Sequence, residues 1–408
     1  MKSRVACVVC AFLLLSFSQS AYAQSAVNIT NIVSLGDGDL GIEGAAISPD
    51  GKLVIAYGEE STVFVMNSTS PGEYSEIYWN NSDALVDAGF HPNGQTAFIV
   101  GENGAILRYI REMNSVEEAA DELYFGQTDL RAISWKDDGT WAYVGGEDGW
   151  VWRVRGIDGG GSEVIPLEGR GDSDVNGISC LSGAKVCVIG SSVDGIGVID
   201  GEHAIHWIGG VGYPWIDVVC PTGSAYECVA ISTDRTIGIV SVNVYEPEKS
   251  KVYENDIVKL QSIDGKFNGI EIQSDGRSLI SMAPFEIIEH DLDNRVSFPW
   301  LENEDVVEFD PLISNDRVVS TWSTGFGTGW IVTSTGKVMD FSPKEGEERG
   351  GVLTIWIGII VFGGAALLTL SLIASSSKTL SNWVSIAIGS EEEKVRAKRE
   401  RRRKGRRK

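Results

Sequence analysis

The sequence predicts an all-β fold, a ring of small sheets, and three observations predict it. A glycine-closed turn recurs along the chain, each turn lies between two short apolar runs of strand length, and the recurrence has a near-constant period. The clearest copy is Ile47-Ser48-Pro49-Asp50-Gly51-Lys52-Leu53-Val54-Ile55-Ala56-Tyr57-Gly58. There Pro49 presets φ, Asp50 is placed to bond its own backbone, and Gly51 takes the positive φ that closes a hairpin. A third run, Thr62–Met66, follows, which makes a meander and not a βαβ unit. Turn glycines stand at 51, 94, 139, 183, 223, 276 and 329, spaced by 43, 45, 44, 40, 53 and 53 residues. A period of roughly 40–50 residues with three or four strands per copy predicts a seven-bladed β-propeller.

In chain order, Lys2 and Arg4 precede the apolar run Val5–Phe17, and Ala21-Tyr22-Ala23 closes it. That order of charge, apolar stretch and small residues predicts a secretory signal over residues 1–23. Residues 24–342 form the expected propeller, placed outside the membrane. Asn28–Leu35 has strand composition and is expected to pair with Lys337–Phe341, an edge that would otherwise stand open. In the second blade, Ser115-Val116-Glu117-Glu118 matches a capping box, and Val116, Ala119, Ala120 and Leu123 fall on one helical face, so a short helix is expected. The longer spacings near the end predict outer-edge insertions at Tyr245–Asp256 and Ser297–Asp310. Sequons at Asn28, Asn67 and Asn80 are the glycan candidates.

Four cysteines lie beyond the leader. Cys180 and Cys220 both stand three residues before a turn glycine, and Cys187 and Cys228 fall in the following strand. Each pair faces across one hairpin, which predicts Cys180–Cys187 and Cys220–Cys228 disulfides. Pairing between adjacent blades and free buried thiols are the other readings.

The turn pattern Ser-Pro-Asp-Gly between two apolar strands, followed by a glycine and a third strand, resembles the WD-repeat and YVTN-like propeller superfamily. The resemblance covers about residues 27–342 and is one of fold. The Gly-His and Trp-Asp pairs that close a WD repeat are not at the corresponding positions. The resemblance implies a binding or scaffolding platform, and some related propellers help to assemble envelope membrane complexes.

Charge narrows the partners. The chain carries 34 Lys+Arg against 57 Asp+Glu, a net −23, divided into −33 over residues 24–351 and +7 over 390–408. An ectodomain this acidic repels nucleic acid and attracts cations. Asp37, Asp39, Glu43, Asp83, Asp87, Asp129, Asp172 and Asp174 precede successive inner strands, which predicts an acidic face. Asp172-Ser173-Asp174-Val175-Asn176-Gly177 matches the first half of a calcium loop, so Asp172, Asp174 and Asn176 are the candidate metal ligands and Ca2+ the candidate ion. Position 183, where such a loop needs a glutamate, is Gly. The four histidines (His91 in a turn, His203 and His206 in a Gly-rich link, His290 on an outer strand) form no ligand cluster, and are expected in turns or exposed. No Gly-x-Ser-x-Gly elbow, phosphate loop or zinc spacing occurs. Four of the 12 Trp (Trp135, Trp141, Trp150, Trp152) crowd blade three, for packing or for stacking on sugar.

After a polar linker over 343–351, Val352–Ala374 runs 23 residues without a charge, about 35 Å as a helix, and predicts one transmembrane span. The tail, 375–408, is basic, which places it on the cytoplasmic side with anionic lipid as a further partner. The resulting expectation is a single-pass cell-membrane protein presenting a non-catalytic platform to a protein or surface glycan. An extracellular hydrolase with a site in the central pore, or an envelope assembly factor, are the rivals.

Overall fold

In the computed structural model, residues 25–344 (other than 158–159, 224–225, 262 and 275) and 390–405 are described. The expected signal and span and the linker from residue 345 lie outside those residues, and Pro343, expected to open the linker, ends the last strand. No helix among the described residues is long and apolar enough to cross a membrane. The chain divides into Met1–Lys344 and Glu345–Lys408; in the second unit, Glu391–Gly405 is helical.

The first unit contains seven four-stranded antiparallel sheets. Six take four consecutive strands each, inner to outer, beginning with Ile42–Ile47, Leu53–Gly58, Thr62–Asn67 and Ser70–Tyr78. The seventh is made of Val318–Gly325, Thr328–Thr333 and Lys337–Pro343, and Val27–Ser34 supplies its outer strand. The expected closure forms: Ile29 faces Phe341 and Val33 faces Val338. The chain's own start thus covers the edge of its last blade.

The turn glycines carry the fold as expected, with φ from +67° at Gly139 to +90° at Gly223. The last one differs. Gly327, at φ +70°, closes the hairpin of blade seven, whereas Gly329 lies inside the second strand of that blade.

The helix expected at Ser115 does not form. Ser115–Glu118 is the outer strand of blade two, with Arg108 facing Glu117 at 3.1 Å across the ladder. The open edge of Ile106–Ile110 demands a strand there, and that demand outweighs a four-residue capping signal. A short 3-10 turn follows at Glu122–Phe125, capped by Asp121, whose carboxylate accepts the Leu123 N–H. The two expected insertions shrink likewise. Lys251–Lys259 and Val296–Leu301 are the fourth strands of blades five and six, leaving a 3-10 turn at Pro247–Lys249 and a helix at Asn303–Phe309.

Between blades run apolar seams. Where blade six meets blade seven, Trp300 and Phe341 pack edge to face at 4.7 Å among Ile287, Val306 and Val27, and all are buried. Both expected disulfides are present, Cys180–Cys187 and Cys220–Cys228, with Cα atoms 3.9 and 4.2 Å apart. Cys180–Cys187 occupies the last cross-strand pair of its inner hairpin, the place of Ile47 and Val54 in blade one, and Cys220–Cys228 lies just beyond the last pair, Val219 and Val229.

Candidate functional site

An inner strand in a ring of sheets has one edge in the ladder and one toward the axis. Its axial N–H groups need other partners. All seven inner strands break register at the same level, with the extra residue at Glu43, Val86, Arg131, Asn176, Ile216, Asn268 and Val319. A bulge re-aims its side chain, and these seven all line one central cavity of about 360 Å³.

Side chains from one blade serve the backbone of the next. Asp87 of blade two accepts the Ile133 N–H of blade three at 2.7 Å with one oxygen and the Ala88 N–H at 2.8 Å with the other. Asp217 repeats the arrangement between blades five and six, taking Ile270 N–H at 3.0 Å and Val218 N–H at 2.8 Å. Glu271 accepts the Thr321 N–H of blade seven and the hydroxyls of Ser320 at 2.6 Å and Thr321 at 2.9 Å. Hydroxyls do the same elsewhere: Ser134 accepts the Cys180 N–H and Ser179 the Cys220 N–H. The Tyr57 hydroxyl donates to Asp87 at 3.4 Å.

The surface these carboxyls expose faces the enclosed channel rather than bulk solvent. Loss of hydration pushes Asp87 up to about 7, against the pull of the Ile133 N–H, with repulsion from Asp217 adding to the rise. Glu271 rises to about 7 and Asp217 to about 6, again chiefly through burial. Burial, then the charges of Asp87 and Glu271, raises the Tyr57 phenol well above its usual value. Two guanidinium groups rim the cavity: Arg317 binds Glu43 at 2.7 Å, and Arg131 meets Glu147 at 2.7 Å and Asp174 at 3.5 Å.

The acids expected together on one face are divided by the structure. Glu43 and Asp87 belong to the channel. Asp83 binds the corner after the second strand of its own blade two, and Asp129 and Asp174 bind that corner of the preceding blade. Asn103, at φ +53°, donates its amide to Asp83 and its N–H to Asp129, and Asp148, at φ +52°, donates its N–H to Asp174. Each candidate calcium ligand has a partner within the protein. Asp172 donates its N–H to the carboxylate of Asp194, Asp174 is paired with Arg131, and the Asn176 amide donates to Ser192 and to the Trp215 carbonyl. Among the described residues, no group of three or more His, Cys, Asp or Glu is arranged to hold a metal.

The histidines were placed only partly. His91 binds the Gly139 carbonyl at 3.1 Å and packs on Trp135, tying two turns together. His203 meets the Tyr143 hydroxyl at 2.7 Å. His206 lies in the strand Ile205–Gly209, 2.8 Å from Asp200, rather than in a link. His290, expected in a turn or exposed, is buried on the third strand of blade six. The blade-three tryptophans are packed: Trp135 against Phe98, Trp150 on Trp152 and under Arg170, Trp141 between Arg153 and Arg155. Of the sequons, Asn67 and Asn80 are exposed and Asn28 is half-buried in the closing strand.

Neither a described protein family nor a curated protein matches the chain. Solved structures do. The β-propeller domain of Cps50 (Swd1) from Myceliophteria thermophila matches with a TM-score of 0.60 at 11% identity, over 78% of this chain and 100% of that one. A catalytically inactive virginiamycin B lyase from Staphylococcus aureus, solved with Quinupristin, matches with a TM-score of 0.60 at 12% identity, over 77% and 99%. The chain is a seven-bladed β-propeller. At these identities the likeness is one of fold, and as one match is an enzyme, the propeller alone does not assign chemistry.

Proposed function

We propose that the chain is a non-catalytic binding and scaffolding platform, an acidic propeller held at the cell surface by one C-terminal span. One observation carries the reading: of the four carboxylates that line the channel, Asp87, Asp217 and Glu271 are each bound to the backbone or hydroxyls of the next blade, and Glu43 is paired with Arg317. These acids have the ring to hold together, and a general acid or base free to meet a substrate proton is a different arrangement. The net −33 of residues 24–351 supports a partner rich in basic groups over nucleic acid. The charge-free run at 352–374 and the basic tail support a single-pass topology with the tail on the cytoplasmic side, where it meets anionic lipid.

A second reading has an observation of its own. Asp87, Asp217 and Glu271 converge on one cavity with raised pKa values, a setting in which hydrolytic sites are built. Affinity capture of the full chain from solubilised membranes separates the two. A platform, including one that assembles an envelope complex, recovers one membrane protein in stoichiometric amount. Failure to recover any, with release of product from extracellular glycans or peptides that D217N abolishes, would replace the platform with the hydrolase.

A further inference from the structure

A second cavity, of about 330 Å³, opens between blades five and six, at the end of the ring that carries the inner-hairpin turns. Its walls are those turns, Pro221–Gly223 and Gly276–Ser278, and residues Glu289–Asp293 close it. His290 reaches it from the third strand of blade six and is only 5% exposed. Its Nδ1 lies 2.9 Å from the Ser297 hydroxyl on the adjoining strand. Its Nε2 is buried and has no hydrogen-bond partner among the described residues. Buried polar atoms are ordinarily hydrogen-bonded, so this nitrogen marks the cavity wall as a place for a polar partner.

The surrounding charge selects the ligand. Arg277 is paired with Glu289 at 3.5 Å. Asp291, held below the usual carboxylate range by the Asn294 amide, and the exposed Asp293 add two negative charges that this pair does not balance. Burial lowers the imidazole to about 4, so at neutral pH the ring is uncharged. In the tautomer that donates Nδ1–H to Ser297, Nε2 is an acceptor belonging to the wall of a cavity that Asp291 and Asp293 also line. We propose that this cleft binds a small organic cation, an ammonium or guanidinium group such as a partner's Lys or Arg side chain, which donates a hydrogen bond to His290 Nε2 beside Asp291 and Asp293. The cavity lies within the size range of small-ligand sites, and an anion would face two carboxylates. The identity of the bearer rests on the platform reading; cation binding itself does not.

The test is calorimetry of the full-length chain at pH 7 with N-acetyl-arginine amide, N-acetyl-lysine amide and, as controls, N-acetyl-glutamate amide and methyl glucoside. The expected result is saturable binding of at least one cation at about 1 mM and none of the controls. His290→Phe should abolish it, and Asp293→Asn, on an exposed turn, should weaken it about 3- to 10-fold. No saturable heat with either cation, equal binding of a control, or unchanged affinity in Asp293→Asn overturns the proposal, and the last decides alone if His290→Phe fails to fold. Capture of a membrane partner without cation binding sinks this cleft and leaves the platform standing; cation binding without a partner does the reverse.

Discussion

The seams between blades and the channel at the axis solve the same problem, joining neighbouring sheets, by opposite means. A seam such as Trp300, Phe341, Ile287 and Val306 joins them by apolar burial, which is non-directional and spread over many atoms. The channel joins them through one polar side chain per contact, aimed at one N–H: Asp87 to Ile133, Ser179 to Cys220, Asp217 to Ile270. The difference is instructive. Burial stabilises at any pH and tolerates rearrangement, whereas the channel ties the ring's stability to the protonation of a few carboxyls.

The largest expected effect lies in a seam. Trp300→Ala empties a site that meets the closing strand, the helix at Asn303–Phe309 and the last blade, and should cost about 3–5 kcal/mol, measured by urea unfolding. A shift under 1 kcal/mol would mean that the seams do not dominate. The disulfides come next. Replacing Cys220 and Cys228 together by Ser opens a loop of eight residues and should cost about 2 kcal/mol on chain-entropy grounds, read as the fall in melting temperature.

The channel's effects are smaller but have a sign that the seams lack. Asp87, Asp217 and Glu271 have folded pKa values of about 7, 6 and 7, above their ordinary carboxylate values, so the folded chain keeps protons that the unfolded chain releases. Their contribution is fully present below about pH 4 and is lost as pH rises through 6 to 7. Glu286, raised to about 7 mainly by burial, acts in the same direction, while Asp234, held near 2 by Lys259 and two hydroxyls despite its burial, titrates below this window. His290, lowered to about 4 by burial, runs the other way and favours folding as pH rises toward its ordinary value near 6.5, so the carboxyls are read where that opposition fades: unfolding free energy should fall by roughly 1–3 kcal/mol between pH 6 and 8, and a flat or rising profile there would show that these carboxyls are not enclosed. Asp217→Asn leaves one carbonyl acceptor for two N–H groups and should cost about 1–2 kcal/mol at pH 4.5, with the gap to the parent chain narrowing by pH 8. At the small end, Arg111→Ala removes a partly exposed pair with Asp50 at 3.1 Å and should change stability by less than about 1 kcal/mol.

The contrast also explains which parts were legible beforehand. The seams follow from periodic apolar runs, and Gly51, Gly94 and Gly139 gave their spacing because a left-handed turn residue is needed in every blade. The disulfides were legible because hairpin register sets cysteines opposite each other. The channel was not. Its polar partners sit at different strand positions in different blades (Asp87 and Asp217 beside the bulge, Ser134, Ser179 and Glu271 two residues on), so no repeat announces them. One signal was available: Asp87 and Asp217 are acids inside otherwise apolar strand runs.

Local chemistry along the chain thus determined the number of blades, the two cystine bridges and the strand that closes the ring, since each depends on residues within one hairpin or on an edge that must be covered. The tertiary structure alone decided that Ser115–Glu118 is strand and not helix, that Asp87, Asp217 and Glu271 share a cavity, and that His290 is buried with one nitrogen unpaired among the described residues. Those outcomes depend on which distant backbone arrives beside a side chain, and that is fixed only when the seven sheets close around an axis.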